Sequence, residues 1–329
     1  MRVLFVGGTG IISSACTRLA VERGIELFVL NRGRRARPIP DSVTRLPADI
    51  RDPETARQAI GKLEFDAVVD WVAFTPEHVE IDLALFVGRT AQFIFISSAS
   101  AYQTPPDSLP VTEETPLGNP IWQYSRDKIA CEARLMRAFR EDRFPCTIVR
   151  PSHTYDCTLS PPRGGWTVIE RMRRGAPVVV HGDGSSVWTL THHRDFATGL
   201  VGLLGRADAV GEAFHITSDE WLTWDRINRT LARAAGASVE IVHVPSDIIR
   251  RYDPAWGDSL LGDKTHSKIF DNSKIKRFVP DFEATIPFSA GAEEIIAWHD
   301  ADSTRQTVDH PLDRTMDRII ADWRRSFPA

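Results

Sequence analysis

Short, wholly apolar runs alternate along the first half of this chain with segments whose apolar positions recur every third or fourth residue. Val3-Leu4-Phe5-Val6 is the first such run, and glycine ends it. Further strands are read at 26–30, 43–47, 67–69, 93–96 and 147–149, the run at 93–96 again buried. Between them, residues 11–22, 54–60, 76–87 and 121–141 carry the helical period. Strands separated by helices in this way predict an α/β fold, a doubly wound parallel (Rossmann) sheet.

After about residue 158 the alternation lapses. Pro161-Pro162-Arg163-Gly164-Gly165 reads as a loop, 178–180 as a strand, and Gly182-Asp183-Gly184 as a turn. Helical patterns return at 194–204, 224–235, 289–301 and 312–325, with a strand at 213–216. This predicts a dinucleotide-binding domain over 1–158 and a smaller α+β substrate lobe over 159–329. Residues 191–217 are expected to return and pack on the first domain.

Composition changes this picture little. The chain has 329 residues, 42% hydrophobic and 26% charged, with a net charge of -4, which suits a globular protein with a large core. A mildly acidic total argues against nucleic acid as the main partner. Cys16, Cys131, Cys146 and Cys157 are scattered, and no Cys or His stands at metal-ligand spacing, so buried thiols and no metal are expected. His192 and His193 are expected to be packed or hydrogen-bonded, and Arg171, Arg173 and Arg174 to form a solvated helix face. A strand directly after Met1 leaves no room for a signal peptide, and no apolar run approaches membrane-spanning length. The expected setting is cytoplasmic, without a membrane partner.

The chemistry-bearing positions fall at strand ends, where open α/β sheets bind ligands. Gly7-Gly8-Thr9-Gly10 opens the first helix, so its backbone can approach a pyrophosphate at the helix N-terminus. Gly7, Gly10, Ile11 and Ile12 are therefore cofactor candidates, with Ser13 as the third small position. The second strand ends in Asn31-Arg32-Gly33-Arg34-Arg35. An NAD site usually places a carboxylate here for the ribose 2′-hydroxyl; guanidiniums suit a 2′-phosphate and favour NADP over NAD. Asp49 and Ile50 are assigned to the cofactor, Asp52 to capping the next helix. The loop over 70–75, with Val72 and Ala73, is expected to pass beneath the cofactor.

Phe93-Ile94-Phe95-Ile96 ends in Ser97 and Ser98, and Tyr124 and Lys128 follow on a helix. Their i, i+4 spacing projects both from one face. An ammonium beside the phenol lowers its pKa and prepares it for proton transfer. Ser98 is placed to hold the substrate oxygen. Pro151 and His153 leave the sixth strand toward the same site, Pro151 for the cofactor and His153 for substrate. Ser100 and Trp188 are further substrate candidates.

These segments, with Ser97-Ser98-Ala99-Ser100-Ala101-Tyr102, Arg150-Pro151 through Tyr155, Gly182-Asp183-Gly184 and Gly211-Glu212-Ala213-Phe214-His215-Ile216, resemble the extended short-chain dehydrogenase/reductase family, of the NAD-dependent epimerase/dehydratase type. The resemblance implies hydride transfer with a nicotinamide cofactor. Tyr124 would be the acid or base, Lys128 would hold the nicotinamide ribose, and Ser98 would bind the reacting oxygen. It also implies a homodimer, formed through the helices flanking Tyr124 and Lys128. Family dehydratases carry an Asp-Glu pair where this chain has Ala99, Ser100 and Ala101, which disfavours elimination of water. Nucleotide-sugar epimerases tend to have Arg where Trp188 stands, and many members have Gly in place of Asp156. Residues 191–195 and 264–271 are closer to the chloroplast stem-loop RNA-binding branch. The expected activity is an NAD(P)-dependent epimerase or oxidoreductase acting on a hydroxyl-bearing carbon of a small molecule, a sugar or sugar derivative. The alternatives are an RNA-binding or RNA-cleaving protein and a non-catalytic NADP(H) sensor.

Overall fold

The computed structural model describes residues 1–33 and 37–327. Its centre is a seven-stranded sheet built from β1 (Arg2–Val6), β2 (Glu26–Asn31), β3 (Thr44–Pro47), β4 (Ala67–Asp70), β5 (Phe93–Ile96), β6 (Cys146–Pro151) and a last strand, Ala213–Ile216. Every pairing is parallel, and the strands lie in the order β3-β2-β1-β4-β5-β6 before the last. The order reverses between β1 and β4, which opens a crevice at their carboxyl ends. The last strand pairs with β6, so the chain does return to the sheet after leaving it.

Strand periodicity builds two cores from one sheet. Val3 and Phe5 join Leu27, Val29 and Ile94 on one face, with Phe196, Leu200 and Phe214 from the returning segment. Leu4 and Val6 join Phe28, Val68, Phe93 and Phe95 on the other. Helices α1 (Ile11–Glu22), α2 (Pro53–Ile60), α3 (Pro76–Phe86) and α4 (Gln123–Asp142) cross between the strands. Asp52 caps α2 by accepting from the Thr55 N–H, with Pro53 in the first turn, as its sequence predicts.

A separate apolar cluster runs from Tyr155 to Ile320. It packs helices Trp166–Arg173, Trp224–Ala234, Phe288–Asp300 and His310–Ser326 around a parallel strand pair, Val178–His181 with Ile241–Val244. The second strand of that pair escapes pattern reading, because its partner lies far away in the chain. Arg171 corrects the expectation of a solvated basic face. Its side chain is fully buried, donating to the Pro177 carbonyl at 2.8 Å and to Asp317 at 2.7 Å, with Asp313 as a further partner. The C-terminal helix covers this face, so only Arg173 and Arg174 reach water. Among the described residues, no helix is long and apolar enough to cross a membrane.

Candidate active site at the carboxyl ends of the sheet

Two cavities open where the strands end. The larger, about 530 Å³, is walled by Gly7, Gly10, Ile11, Ile12, Asn31, Arg32, Asp49, Ile50 and Val72, together with Gly8 and Ser13. Gly7 and Gly8 have φ of 112° and 83°, a region that side chains rarely adopt. A Cβ at Gly7 would meet Trp71 at 3.1 Å, and one at Gly8 would meet Val29 at 3.1 Å. The turn is pinned on both sides. Thr17 donates to the Gly8 carbonyl at 2.8 Å, and the Gly10 N–H donates to Ser13 Oγ at 2.7 Å. Ser13 thus gives the third small position a role that glycine has no side chain to fill. Bare backbone, the N-terminus of α1 and this volume fit a dinucleotide.

Asn31 donates to the Gly7 carbonyl at 3.3 Å and accepts from the Gly33 N–H at 2.9 Å, fixing the end of β2. Arg32 lies 3.6 Å from Asp49, both on the wall and both partly exposed. Arg34 and Arg35 lie outside the described residues. Three cofactor candidates, Ala73, Pro151 and Lys128, fall outside this wall. Ala73 is buried in the core, and Pro151 lines the second cavity. Ala73 serves through its backbone instead, its carbonyl accepting from Lys128.

The second cavity, about 300 Å³, brings together Ser98, Ser100, Tyr124, Pro151, His153 and Trp188. Ile96, at the end of β5, belongs to the first wall and Ser98 to the second. Ser125 Oγ donates to Ser100 Oγ at 2.8 Å, and Ser100 lies 2.9 Å from Ser98 Oγ. Ser125, Ser100 and Ser98 thus form one chain of hydrogen-bonded hydroxyls. Sequence reasoning missed Ser125, although it adjoins Tyr124.

The hydrogen bonds of Lys128 go to backbone carbonyls. Its ammonium is buried between Phe74 and Phe95, donating to the carbonyls of Ala73 at 2.7 Å and Ile96 at 2.8 Å. It sits 5.9 Å from the Tyr124 ring centre. Burial pushes Lys128 down to about 8 and pushes Tyr124 above its ordinary value, with only Ser98 pulling the phenol back. The resting phenol therefore keeps its proton. His153 is driven down to about 3 by burial, so it is neutral, and its Nδ1 has no partner among the described residues.

Three side chains join the site that sequence reading did not single out. Asp263, Lys264 and Lys268 line the second cavity, from the turn Leu260–Lys264 and the segment after it. Arg37 is a fourth, nearer the glycine turn, where it bonds Asp156 at 2.5 Å and Ser14 at 3.3 Å. Asp156, the departure noted in the sequence, was the available signal for that clasp. His193 ties the same region together by bonding the Ile11 carbonyl at 3.2 Å, and His192 bonds Glu294 at 3.1 Å.

Comparison with known proteins agrees with this architecture. The chain is 25% identical over 296 residues to a 2′-dehydrokanamycin reductase of Streptomyces kanamyceticus, covering 86% of this chain and 80% of that protein. It is 27% identical over 256 residues to the chloroplast stem-loop binding protein of 41 kDa b of Arabidopsis thaliana, covering 74% and 65% respectively. Its fold superposes on UDP-glucose 4-epimerase of Bifidobacterium longum, solved with NAD+ and UDP, with a TM-score of 0.74 at 18% identity, covering 93% of this chain and all (100%) of that one. Residues 3–217 match the family model of the NAD dependent epimerase/dehydratase family, and the chain belongs to that family.

Proposed function

We propose that this protein transfers hydride between a nicotinamide cofactor and a hydroxyl-bearing carbon of a sugar or sugar derivative, with Tyr124 moving the accompanying proton. One observation carries the reading. Ser98 and Tyr124 line one cavity, with Ser98 joined to the Ser100–Ser125 hydroxyl chain, beside a glycine cradle that fits a dinucleotide. The bound nicotinamide supplies or accepts the hydride. Ser98 orients the substrate oxygen, and the protonated Tyr124 is set to give that oxygen its proton, which suits reduction of a carbonyl. Lys128 holds the ribose edge and, through Ala73 and Ile96, the backbone around it. Residues 1–158 serve the cofactor and 159–329 the substrate in this assignment.

The test is oxidation of NADPH or NADH with a panel of keto-sugars, followed by nicotinamide absorbance. Turnover of a keto-sugar is the expected result. In a fluorescence titration with NAD+, NADH, NADP+ and NADPH, failure of all four to bind would overturn the reading. It would favour a stem-loop RNA partner, after the 27%-identical relative, for which salt-steep, saturable RNA binding is the signature.

The same titration tests cofactor choice. We assign NADP, because Arg32 stands where a ribose-binding carboxylate is usual. Arg32→Ala is expected to weaken NADPH binding by about tenfold, the loss of one charge-assisted hydrogen bond, and to leave NADH unchanged. Equal losses for both would show that Arg32 only steadies Asp49.

A further inference from the structure

The second cavity carries charged groups that the Tyr124 chemistry does not use. Lys268 is fully buried and well paired, 2.9 Å from Asp263 Oδ1 and 3.1 Å from Thr104 Oγ1. Asp263 is thereby engaged. Lys264 pairs with the other oxygen of that carboxylate, Oδ2, at 3.6 Å, and burial pushes its ammonium below the ordinary lysine value while Asp263 pulls it back. Two ammoniums thus face one carboxylate on this wall, and the neighbouring His153 is neutral.

The surroundings of Lys264 shape it as a receptor. Its ammonium lies 5.1 Å from the Trp122 ring centre and 6.0 Å from that of Trp188, so indole faces hold it and keep water off. Trp188 also lines this cavity, and its Nε1 is buried with no partner among the described residues. Trp122 also packs against Tyr124, with ring centres 4.9 Å apart, so one indole neighbours both Lys264 and the reacting phenol. A cavity of about 300 Å³ takes a molecule of monosaccharide size.

We propose that Lys264 binds an anionic substituent of the substrate, a carboxylate or a phosphate, while the substrate's hydroxyl-bearing carbon sits at Tyr124. The substrate class is then an acidic sugar or hydroxy acid. This rests on the functional reading above for the place of reaction, but not for the anion. A neutral sugar leaves the largely buried ammonium with only its share of the Asp263 carboxylate, and an aminosugar adds like charge to it.

Binding read by intrinsic Trp fluorescence separates the two claims, because it needs no turnover. Inorganic phosphate and acetate serve as probes free of sugar preference; D-glucuronate, D-glucose 6-phosphate, D-glucose and D-glucosamine follow. The acids are expected to bind at least about tenfold more tightly than glucose, with glucosamine weakest. Whether the carboxylate or the phosphate is preferred identifies the natural group. Lys264→Met, which keeps the apolar stem between the indoles, is expected to erase the difference, and Lys264→Arg to restore most of it. The proposal is overturned if the wild type shows no saturable response to the anions and no preference for the acids. It is also overturned if Lys264→Met weakens glucose and the acids equally. An anion preference without turnover of any sugar would leave this subsite standing and remove the Tyr124 reading alone.

Discussion

Tyr124→Phe is expected to lower turnover by about 10²- to 10⁴-fold, the range for a lost general acid, with cofactor affinity unchanged. The substitution deletes only the hydroxyl. The ring that packs on Trp122 at 4.9 Å remains, as do the Lys128 contacts with the Ala73 and Ile96 carbonyls. The loss should therefore fall on kcat, with KM little changed. A pH profile gives a second readout. Burial raises the phenol, so the reducing direction should hold through neutral pH and fall only as the pH climbs through that raised value. Lys128, pushed down to about 8 by burial, is charged below that pH and neutral above it, so cofactor binding should weaken as the pH passes 8. The Phe variant should keep the Lys128 limb and lose the phenol limb. Retention of more than a tenth of wild-type turnover by Tyr124→Phe would remove the residue from the mechanism.

The contrast between Tyr124 and Lys128 shows where sequence reading stops. Strand runs, helical periods and the glycine turn are local patterns, and the sheet they imply is the sheet observed. The i, i+4 spacing correctly puts two side chains on one face of α4. It says nothing of burial, and burial decides the phenol's proton and turns the ammonium toward backbone carbonyls. Lys264 and Lys268 lie in the stretch that resembles the stem-loop RNA-binding branch, which gave no hint of a cavity, and they reach it because the turn Leu260–Lys264 folds back over Trp122 and Trp188. Arg171 failed for the same reason. A basic run looks solvated until a helix from the far end of the chain covers it with Asp313 and Asp317. The return of residues 213–216 to the sheet was legible, whereas a charge covered by a helix from the far end of the chain was not.

Glu132→Ala is expected to destabilise the fold by about 3–5 kcal/mol, the usual cost of stripping one partner from a buried ion pair. Glu132 and Arg150 are nearly inaccessible, and Arg150 grips the carboxylate through Nη2 at 2.6 Å and Nε at 3.0 Å. The same carboxylate accepts from the Ser97 hydroxyl, next to Ser98. Without it, the guanidinium keeps the Tyr102 ring at 4.7 Å and the Glu113 carbonyl at 3.4 Å, which leaves most of its donors unmatched in the interior. Such a loss is a large part of the 5–15 kcal/mol typical of a folded domain. Chemical denaturation should show it as a lower midpoint, with Glu132→Gln recovering part through its amide oxygen. Replacing both partners, Glu132→Leu with Arg150→Met, should cost less than Glu132→Ala alone, because no charge is left buried. If the double variant proves less stable than Glu132→Ala, the penalty lies in lost packing and not in an orphaned cation. Activity then divides stability from positioning. Since Ser97 holds the end of β5 to α4 through Glu132, the folded double variant should turn over more slowly than wild type, with its phenol limb in the pH profile intact.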